Sequence, residues 1–175
     1  VNTLVFEGDR PIGHNTDGIG LVADIERHLA FSVSGKRVLL LGAGGASWGV
    51  VPALLARGPA VLHVVNRTAS KAAELVSHFI GHGVGDAATL SASGYDALPA
   101  GAYELVINAT SSGLAGERLP LSPAVFARDA LAYEMVYGKD TPFMQQAREG
   151  GARVSDGLGM LVEQAAEAFF LWRGV

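Results

Sequence analysis

The sequence predicts an α/β fold with a doubly wound parallel sheet and helices on both of its faces. Two observations lead to this prediction. Apolar runs at residues 37–41 and 61–65 show no polar alternation, which is typical of strands buried on both faces of a parallel sheet. Segments of helical length separate such runs, and this alternation of strands and helices produces a parallel sheet covered on both sides.

The elements can be placed in order from turn residues and apolar spacing. Residues 2–7 and 12–14 are expected to form a hairpin, and residues 15–18 precede an amphipathic helix. Strands are then expected at 37–41, 61–65, 87–90, 104–108, 131–135 and 152–155. Helices are expected at 46–57, 69–79, 142–149 and 158–172, and Pro52 predicts a kink in the first of these.

Composition excludes several classes of function. The chain has 175 residues, 49% of them hydrophobic and 17% charged, enough apolar material for the core of one domain. The net charge of -4 argues against nucleic acid or an anionic membrane as a partner. The absence of cysteine excludes disulfides, thiolate metal sites and cysteine nucleophiles, and it fits a reducing cytoplasm. The histidines show no ligand spacing with acids, so we expect no metal site.

Two stretches of the chain raise questions of localisation and processing. Residues 38–56 carry no charge and are nearly long enough to cross a bilayer. Their glycines and Pro52 favour a strand, a turn and a helix over a membrane span. The first residues contain no initiator Met and no signal-like segment, so we expect a fragment or a processed product.

A glycine-rich turn, Gly42-Ala43-Gly44-Gly45-Ala46-Ser47, lies between the first buried strand and the next helix. In Rossmann-like folds such a turn holds a pyrophosphate, because its glycines let the backbone approach the phosphates and the helix N-terminus faces the anion. A small third residue lets helix and strand pack closely, and Ser47 takes that place here instead of glycine. The context predicts a dinucleotide site; the alternative is a turn with a structural role only.

The end of the second buried strand, at Asn66-Arg67-Thr68, indicates which dinucleotide is bound. An NAD site usually carries an acidic residue here, and this segment has none. Arg67 offers a planar fork to a 2′-phosphate, Thr68 offers a hydroxyl and Lys71 adds positive charge. The sequence therefore favours NADP over NAD. The alternative is that Thr68 caps the following helix beside solvated basic residues.

Several motifs follow one another along the whole chain. They are Val1-Asn2-Thr3, Asn15-Thr16-Asp17-Gly18, the glycine turn, Asn66-Arg67-Thr68, Asn108-Ala109-Thr110-Ser111-Ser112-Gly113, Tyr133 to Tyr137 with Thr141-Pro142-Phe143, and Asp156-Gly157-Leu158-Gly159-Met160-Leu161-Val162-Glu163-Gln164-Ala165. In order and spacing they resemble shikimate dehydrogenases. That family reduces 3-dehydroshikimate to shikimate with NADPH in aromatic amino-acid biosynthesis.

The resemblance implies that this chain is the cofactor-binding portion of a two-domain enzyme. Residues 1–17 would be a remnant of the substrate domain, 18–156 the NADP-binding Rossmann domain, and 157–175 a helix that packs towards the missing N-terminal domain. The family's Ser-x-Ser motif and catalytic lysine would both lie upstream. We therefore expect the chain alone to bind cofactor with little or no turnover. The oligomeric state is left open.

The resemblance also implies roles in substrate binding and catalysis. Asp17 is the surviving acid–base candidate, with the alternative that it only caps a helix. Asn2 and Gln164 would bind substrate hydroxyls through their amides, and Tyr137 would lie at the substrate. From the residues alone, Asn2 is an ordinary polar residue, Gln164 a solvated helix position and Tyr137 a rim position.

Further cofactor contacts are implied at the ends of later strands. Thr110 and Ser111 follow the strand at 104–108, at the edge where ligands bind in open α/β sheets. Met135 and Gly157 would lie at the nicotinamide. The alternatives are a polar turn for the first pair, core packing for Met135 and a simple helix start for Gly157.

Two departures and two competing functions remain open. Trp48 stands where the family often has arginine, which could weaken NADP affinity, and Glu134 replaces a more usual aspartate. The whole protein could act on quinate as well as shikimate. Alternatively, the chain could be a non-catalytic NADP-binding module that works through a partner.

Overall fold

The computed structural model describes residues 1–111 and 116–175. Two strands at the start form an antiparallel hairpin, and six parallel strands form the main sheet. The strands are β1 (Thr3–Glu7), β2 (Arg10–His14), β3 (Arg37–Leu41), β4 (Val61–Val65), β5 (Leu90–Ser93), β6 (Tyr103–Asn108), β7 (Phe126–Glu134) and β8 (Arg153–Ser155). The α-helices are α1 (Asp17–Ala23), α2 (Gly45–Leu55), α3 (Ala69–Gly81), α4 (Pro142–Glu149) and α5 (Leu158–Arg173). A π-helical turn (Asp24–His28) continues α1, and 3-10 turns lie at Tyr95–Ala97 and Pro123–Val125.

The main sheet confirms the predicted doubly wound α/β fold. Its strand order is β5-β4-β3-β6-β7-β8, so β3 lies at the point where successive crossovers turn to opposite sides. The side chains of β3 alternate between two apolar cores. Val38 and Leu40 pack into one core, and Leu39 and Leu41 pack into the other. Helices therefore cover both faces, and the strand carries no polar alternation.

Some elements differ in extent from the sequence prediction. The strand expected at 87–90 lies at Leu90–Ser93, because the Asp86 carboxylate accepts hydrogen bonds from the backbone N–H groups of Ala88 and Thr89 and holds them in a turn. Strand β7 begins five residues before the expected position 131, at Phe126. Helix α2 continues through Pro52 and ends at Leu55 rather than at 57.

Helices α1 and α5 pack closely on each other. A Cβ atom on Gly20 would lie 2.7 Å from the backbone N of Gln164, so only glycine permits this approach. At the far end of α5, the indole N–H of Trp172 donates to the carbonyl of Leu4 at 2.8 Å. These contacts fix the terminal helix against both α1 and the hairpin. Among residues 1–111 and 116–175, none of the helices has the length and hydropathy needed to cross a membrane.

Candidate functional site

A cavity of about 550 Å³ opens at the carboxyl edge of the sheet. It lies where β3, β4 and β6 end, which is where ligands bind in folds of this topology. Eleven predicted cofactor residues line it: Gly42, Ala43, Gly44, Gly45, Ala46, Asn66, Arg67, Thr68, Lys71, Thr110 and Ser111. Ser112 and Gly113 of the same polar motif lie outside the described residues. The residues that the sequence predicted to contact the cofactor thus line the same cavity.

The glycine turn is shaped by two separate constraints. Gly42 has φ +106°, and a Cβ there would lie 3.1 Å from the carbonyl oxygen of Ala109. Cβ atoms on Gly44 and Gly45 would meet nothing within 4 Å, so these two glycines border open space. Ser47 is fully buried, and its hydroxyl donates to the carbonyl of Gly42 at 2.8 Å. Serine at the third position therefore closes the turn from inside.

Basic side chains stand at the end of β4. Arg67, Thr68 and Lys71 are exposed at the mouth of the cavity. The Asn66 amide donates to the carbonyl of Thr68 at 2.9 Å and so holds this turn. Thr68 occupies the N-cap position of α3, but its side chain makes no capping hydrogen bond there. This arrangement can hold a phosphate through charge and hydroxyl contacts.

The opposite wall was not predicted from the sequence. It is formed by Glu117, Arg118, Leu119 and Pro120, together with Tyr95. The Gln146 amide accepts from the backbone N–H of Leu119 at 3.0 Å and donates to its carbonyl at 2.8 Å. This two-sided clamp fixes the wall. No sequence signal reveals it, because the partners lie 27 residues apart and belong to no motif.

Tyr95 carries an unusual hydroxyl in this wall. The oxygen is buried and has no hydrogen-bond partner among the described residues, and burial raises the pKa of Tyr95 to about 12. A buried hydroxyl without a partner destabilises the folded state, because water would satisfy it in the unfolded chain.

Replacing Tyr95 by phenylalanine is expected to raise the free energy of unfolding by about 1 kcal/mol, since it removes the unsatisfied oxygen and keeps the ring. Urea unfolding of the ligand-free chain measures this change. Tyr137→Phe, at a side chain that is 51% exposed, serves as the control and should change little. A lower stability for Tyr95→Phe would mean that the hydroxyl has a partner after all.

A second polar cluster joins the first strand, α1 and α5. The Asn2 amide nitrogen donates to Asp17 Oδ1 at 2.7 Å, to Thr16 Oγ1 at 3.0 Å and to Gln164 Oε1 at 3.2 Å. Three of the predicted substrate residues, Asn2, Asp17 and Gln164, therefore meet, although 162 residues separate the first from the last. The close packing of α1 on α5 at Gly20 produces this meeting.

Asp17 does not occupy the N-cap position of α1, and its role in catalysis stays a prediction. Asp17 is the first residue of α1, and Thr16 occupies the N-cap position. The side chain of Asn15 accepts a hydrogen bond from the backbone N–H of Asp17 at 2.9 Å and so stabilises the turn before α1. The Asp17 carboxylate is thereby left to face Asn2.

Met135, Tyr137 and Gly157 lie at the carboxyl edge next to the end of β7. Tyr137 is half exposed, and neither Met135 nor Gly157 is among the residues that line the 550 Å³ cavity. The backbone N–H of Gly157 donates to the carbonyl of Val136 at 3.2 Å, and a Cβ on Gly157 would overlap the Met135 carbonyl. Glycine is thus required here by the approach of one loop to another. The cofactor roles of Met135 and Gly157 stay predictions.

The side chains of Trp48 and His63 contact other side chains of the protein and do not line the 550 Å³ cavity. The indole of Trp48 packs against His78 and Phe79, at centroid distances of 4.8 and 5.4 Å, and does not line the 550 Å³ cavity. The effect of Trp48 on NADP affinity stays a prediction. His63 is buried in β4, and its ring nitrogens are hydrogen-bonded to Ser91 Oγ and Ser93 Oγ. Burial lowers the pKa of His63, and the ring is a hydrogen-bonded part of the core.

Fold and cavity together have the architecture of dinucleotide-binding α/β domains. A family model described as shikimate / quinate 5-dehydrogenase matches residues 24–115, more than half of the chain. A second model, the shikimate 5′-dehydrogenase C-terminal domain, matches residues 157–175. The chain belongs to the shikimate/quinate dehydrogenase family.

Individual relatives agree with this assignment. Over 176 residues the chain is 57% identical to the shikimate dehydrogenase (NADP(+)) of Methylobacillus flagellatus, an alignment that covers all of this chain and 64% of the relative. An Ael1 enzyme from Pseudomonas putida has 47% identity and a TM-score of 0.90, over 98% of this chain and 62% of its own. Shikimate 5-dehydrogenase from Thermus thermophilus, solved with NADP(H) and shikimate, has 31% identity and a TM-score of 0.78, over 98% and 61%. The chain spans 61–64% of the length of each.

Proposed function

We propose that this chain binds NADP(H) in the cavity at the carboxyl edge of the sheet. The observation that carries the proposal is the pairing of open space beside Gly44 and Gly45 with basic side chains at Arg67 and Lys71. Backbone N–H groups at the start of α2 would hold the pyrophosphate, and Arg67, Thr68 and Lys71 the 2′-phosphate. Thr110 and Ser111 would contact the cofactor from the end of β6.

The whole protein of which this sequence is a part would reduce 3-dehydroshikimate to shikimate. The cofactor, when bound, supplies the hydride. Asn2, Gln164 and Tyr137 would orient the ring hydroxyls of the substrate, and Asp17 would hold or move a proton at the reacting oxygen. The relative that is 57% identical bears the name of this NADP-dependent activity, which supports the proposal. The lysine that the family uses with the aspartate would come from the remaining part of the protein.

The proposed organisation follows the same reasoning. In this proposal residues 1–17 belong to the substrate domain, 18–156 form the cofactor domain, and 157–175 pack towards the N-terminal domain. That domain would be part of the same protein and would be the partner of this chain. We propose a cytoplasmic location, and the absence of cysteine is consistent with a reducing compartment. Quinate is the second candidate substrate, since the matching family model covers both activities. Turnover of shikimate and quinate by the whole protein decides between them.

Titration of the chain with NADP+ and NAD+ by calorimetry tests the cofactor proposal. NADP+ is expected to bind at least about tenfold more tightly, because one charge-assisted contact to the 2′-phosphate is worth roughly that factor. The isolated chain should oxidise shikimate little or not at all. Equal affinity for the two dinucleotides would remove the assignment of Arg67 and Lys71, and binding of neither would leave the cavity without its proposed ligand.

A further inference from the structure

A buried carboxylate lies behind the cavity, at the junction of three segments. Glu134 ends β7 and is completely buried. Its Oε2 accepts from the Asn108 amide and from the Thr141 hydroxyl, both at 2.8 Å, and its Oε1 accepts from the backbone N–H of Val136 at 3.1 Å. One side chain thus links the end of β6, the loop after β7 and the start of α4.

The contact with Asn108 reaches the cavity wall in one further step. Because the Asn108 nitrogen is held by Glu134, its Oδ1 faces the other way. That oxygen accepts from the backbone N–H of Thr110 at 3.1 Å and from its hydroxyl at 2.7 Å. Thr110 lines the cavity directly, and the backbone of Ala109 lies close to Gly42 of the glycine turn. The orientation of one amide therefore determines the shape of this wall.

We infer that Glu134 is a positioning residue for the cofactor cavity, acting through Asn108 on Thr110 and through Val136 on the loop that carries Tyr137. This inference rests on the proposed binding of NADP(H). All three hydrogen bonds to Glu134 are donated to it, so the position requires an acceptor on both oxygens. Glutamine has the same shape but one acceptor fewer. Neither orientation of a glutamine amide can serve all three donors, because its nitrogen would face either the Val136 N–H at the Oε1 position or the Asn108 amide nitrogen at the Oε2 position.

The test compares Glu134→Gln, Glu134→Asp and Tyr133→Phe with the unchanged chain. Tyr133 is a matched control, since it is the neighbouring residue, is equally buried and donates to Asp24, away from the cavity. Calorimetry gives the Kd for NADP+, and amide hydrogen exchange reports the backbone N–H groups of Thr110 and Val136 without any ligand. Glu134→Gln is expected to raise the Kd about tenfold and to speed exchange at both amides. Glu134→Asp, which keeps a carboxylate, should recover a large part of that loss, and Tyr133→Phe should leave the Kd within about twofold.

Three results would overturn the inference. Glu134→Gln could match the unchanged chain in both measurements, Glu134→Gln and Glu134→Asp could weaken binding equally, or Tyr133→Phe could raise the Kd as much as Glu134→Gln. The second result would assign the effect to shape, and the third to a general loss of stability. If the unchanged chain binds no NADP+, the proposed function fails instead. Exchange at Thr110 and Val136 then decides alone whether Glu134 holds these loops.

Discussion

Replacing both Arg67 and Lys71 by glutamine is expected to weaken NADP+ binding about a hundredfold or more, and NAD+ binding less than about threefold. The two side chains are exposed at the cavity mouth and stand beside Thr68. Each charge-assisted contact to a phosphate contributes about 1.5–3 kcal/mol, so the loss of two contacts accounts for the factor. NAD+ lacks the 2′-phosphate and does not use these contacts.

Calorimetric titration of the double variant with both dinucleotides measures the selectivity. Arg128→Gln is the matched control, since Arg128 is an exposed arginine near the amino end of β7, at the opposite edge of the sheet from the cavity. It should leave both affinities unchanged. A parallel loss for NADP+ and NAD+ in the double variant would show that Arg67 and Lys71 act on a part common to the two cofactors. The assignment of the 2′-phosphate to the end of β4 would then be abandoned.

Tyr133→Phe is expected to lower the free energy of unfolding by about 3 kcal/mol, because it leaves a buried carboxylate without its donor. Asp24 is only 4% exposed, and the Tyr133 hydroxyl donates to its Oδ2 at 2.5 Å. Burial, together with this hydrogen bond, holds the pKa of Tyr133 well above its usual range, so the tyrosine stays a donor at any ordinary pH. Phenylalanine keeps the ring and its packing, and only the hydrogen bond is lost.

Urea unfolding at pH 7 gives the change in stability for this variant. Tyr137→Phe supplies the comparison, since its exposed hydroxyl should contribute less than about 0.5 kcal/mol. The double replacement Tyr133→Phe with Asp24→Asn should recover part of the loss, because the buried charge is then removed as well. A Tyr133→Phe chain as stable as the original would mean that water or a backbone group can take over the Asp24 carboxylate.

The fold, and the grouping of residues around the cavity, could be predicted from residues that are neighbours in the sequence. The turn between β3 and α2 could be predicted from one short glycine pattern after an apolar run. Arg67 and Thr110, which line the cavity beside this turn, come directly after two other strands of the sheet. Parallel strands bring their carboxyl ends to one edge, so residues far apart in sequence could be placed together from topology alone. The position of Asp17 could be predicted only to within a residue, because Asn15 and Thr16 offered the same capping chemistry.

The parts that were not predicted depend on contacts across many residues. The Gln146 clamp on Leu119 and the link from Glu134 to Asn108 span 27 and 26 positions. Each joins a side chain to a partner whose position is fixed only after the sheet has formed. Such contacts leave no periodicity, since any buried amide or carboxylate must find some partner and the sequence does not say which.

The Asn2 amide has fewer hydrogens to donate than the oxygens around it can accept. Its amide nitrogen lies within hydrogen-bonding distance of three acceptor oxygens, on Thr16, Asp17 and Gln164, yet an amide nitrogen carries only two hydrogens. At any moment one of the three oxygens therefore lacks its hydrogen. A hydroxyl of an arriving molecule can supply that missing hydrogen without displacing a completed bond. The cluster is thus held in position before a ligand arrives, and one of its acceptor oxygens can still accept a hydrogen bond from a ligand.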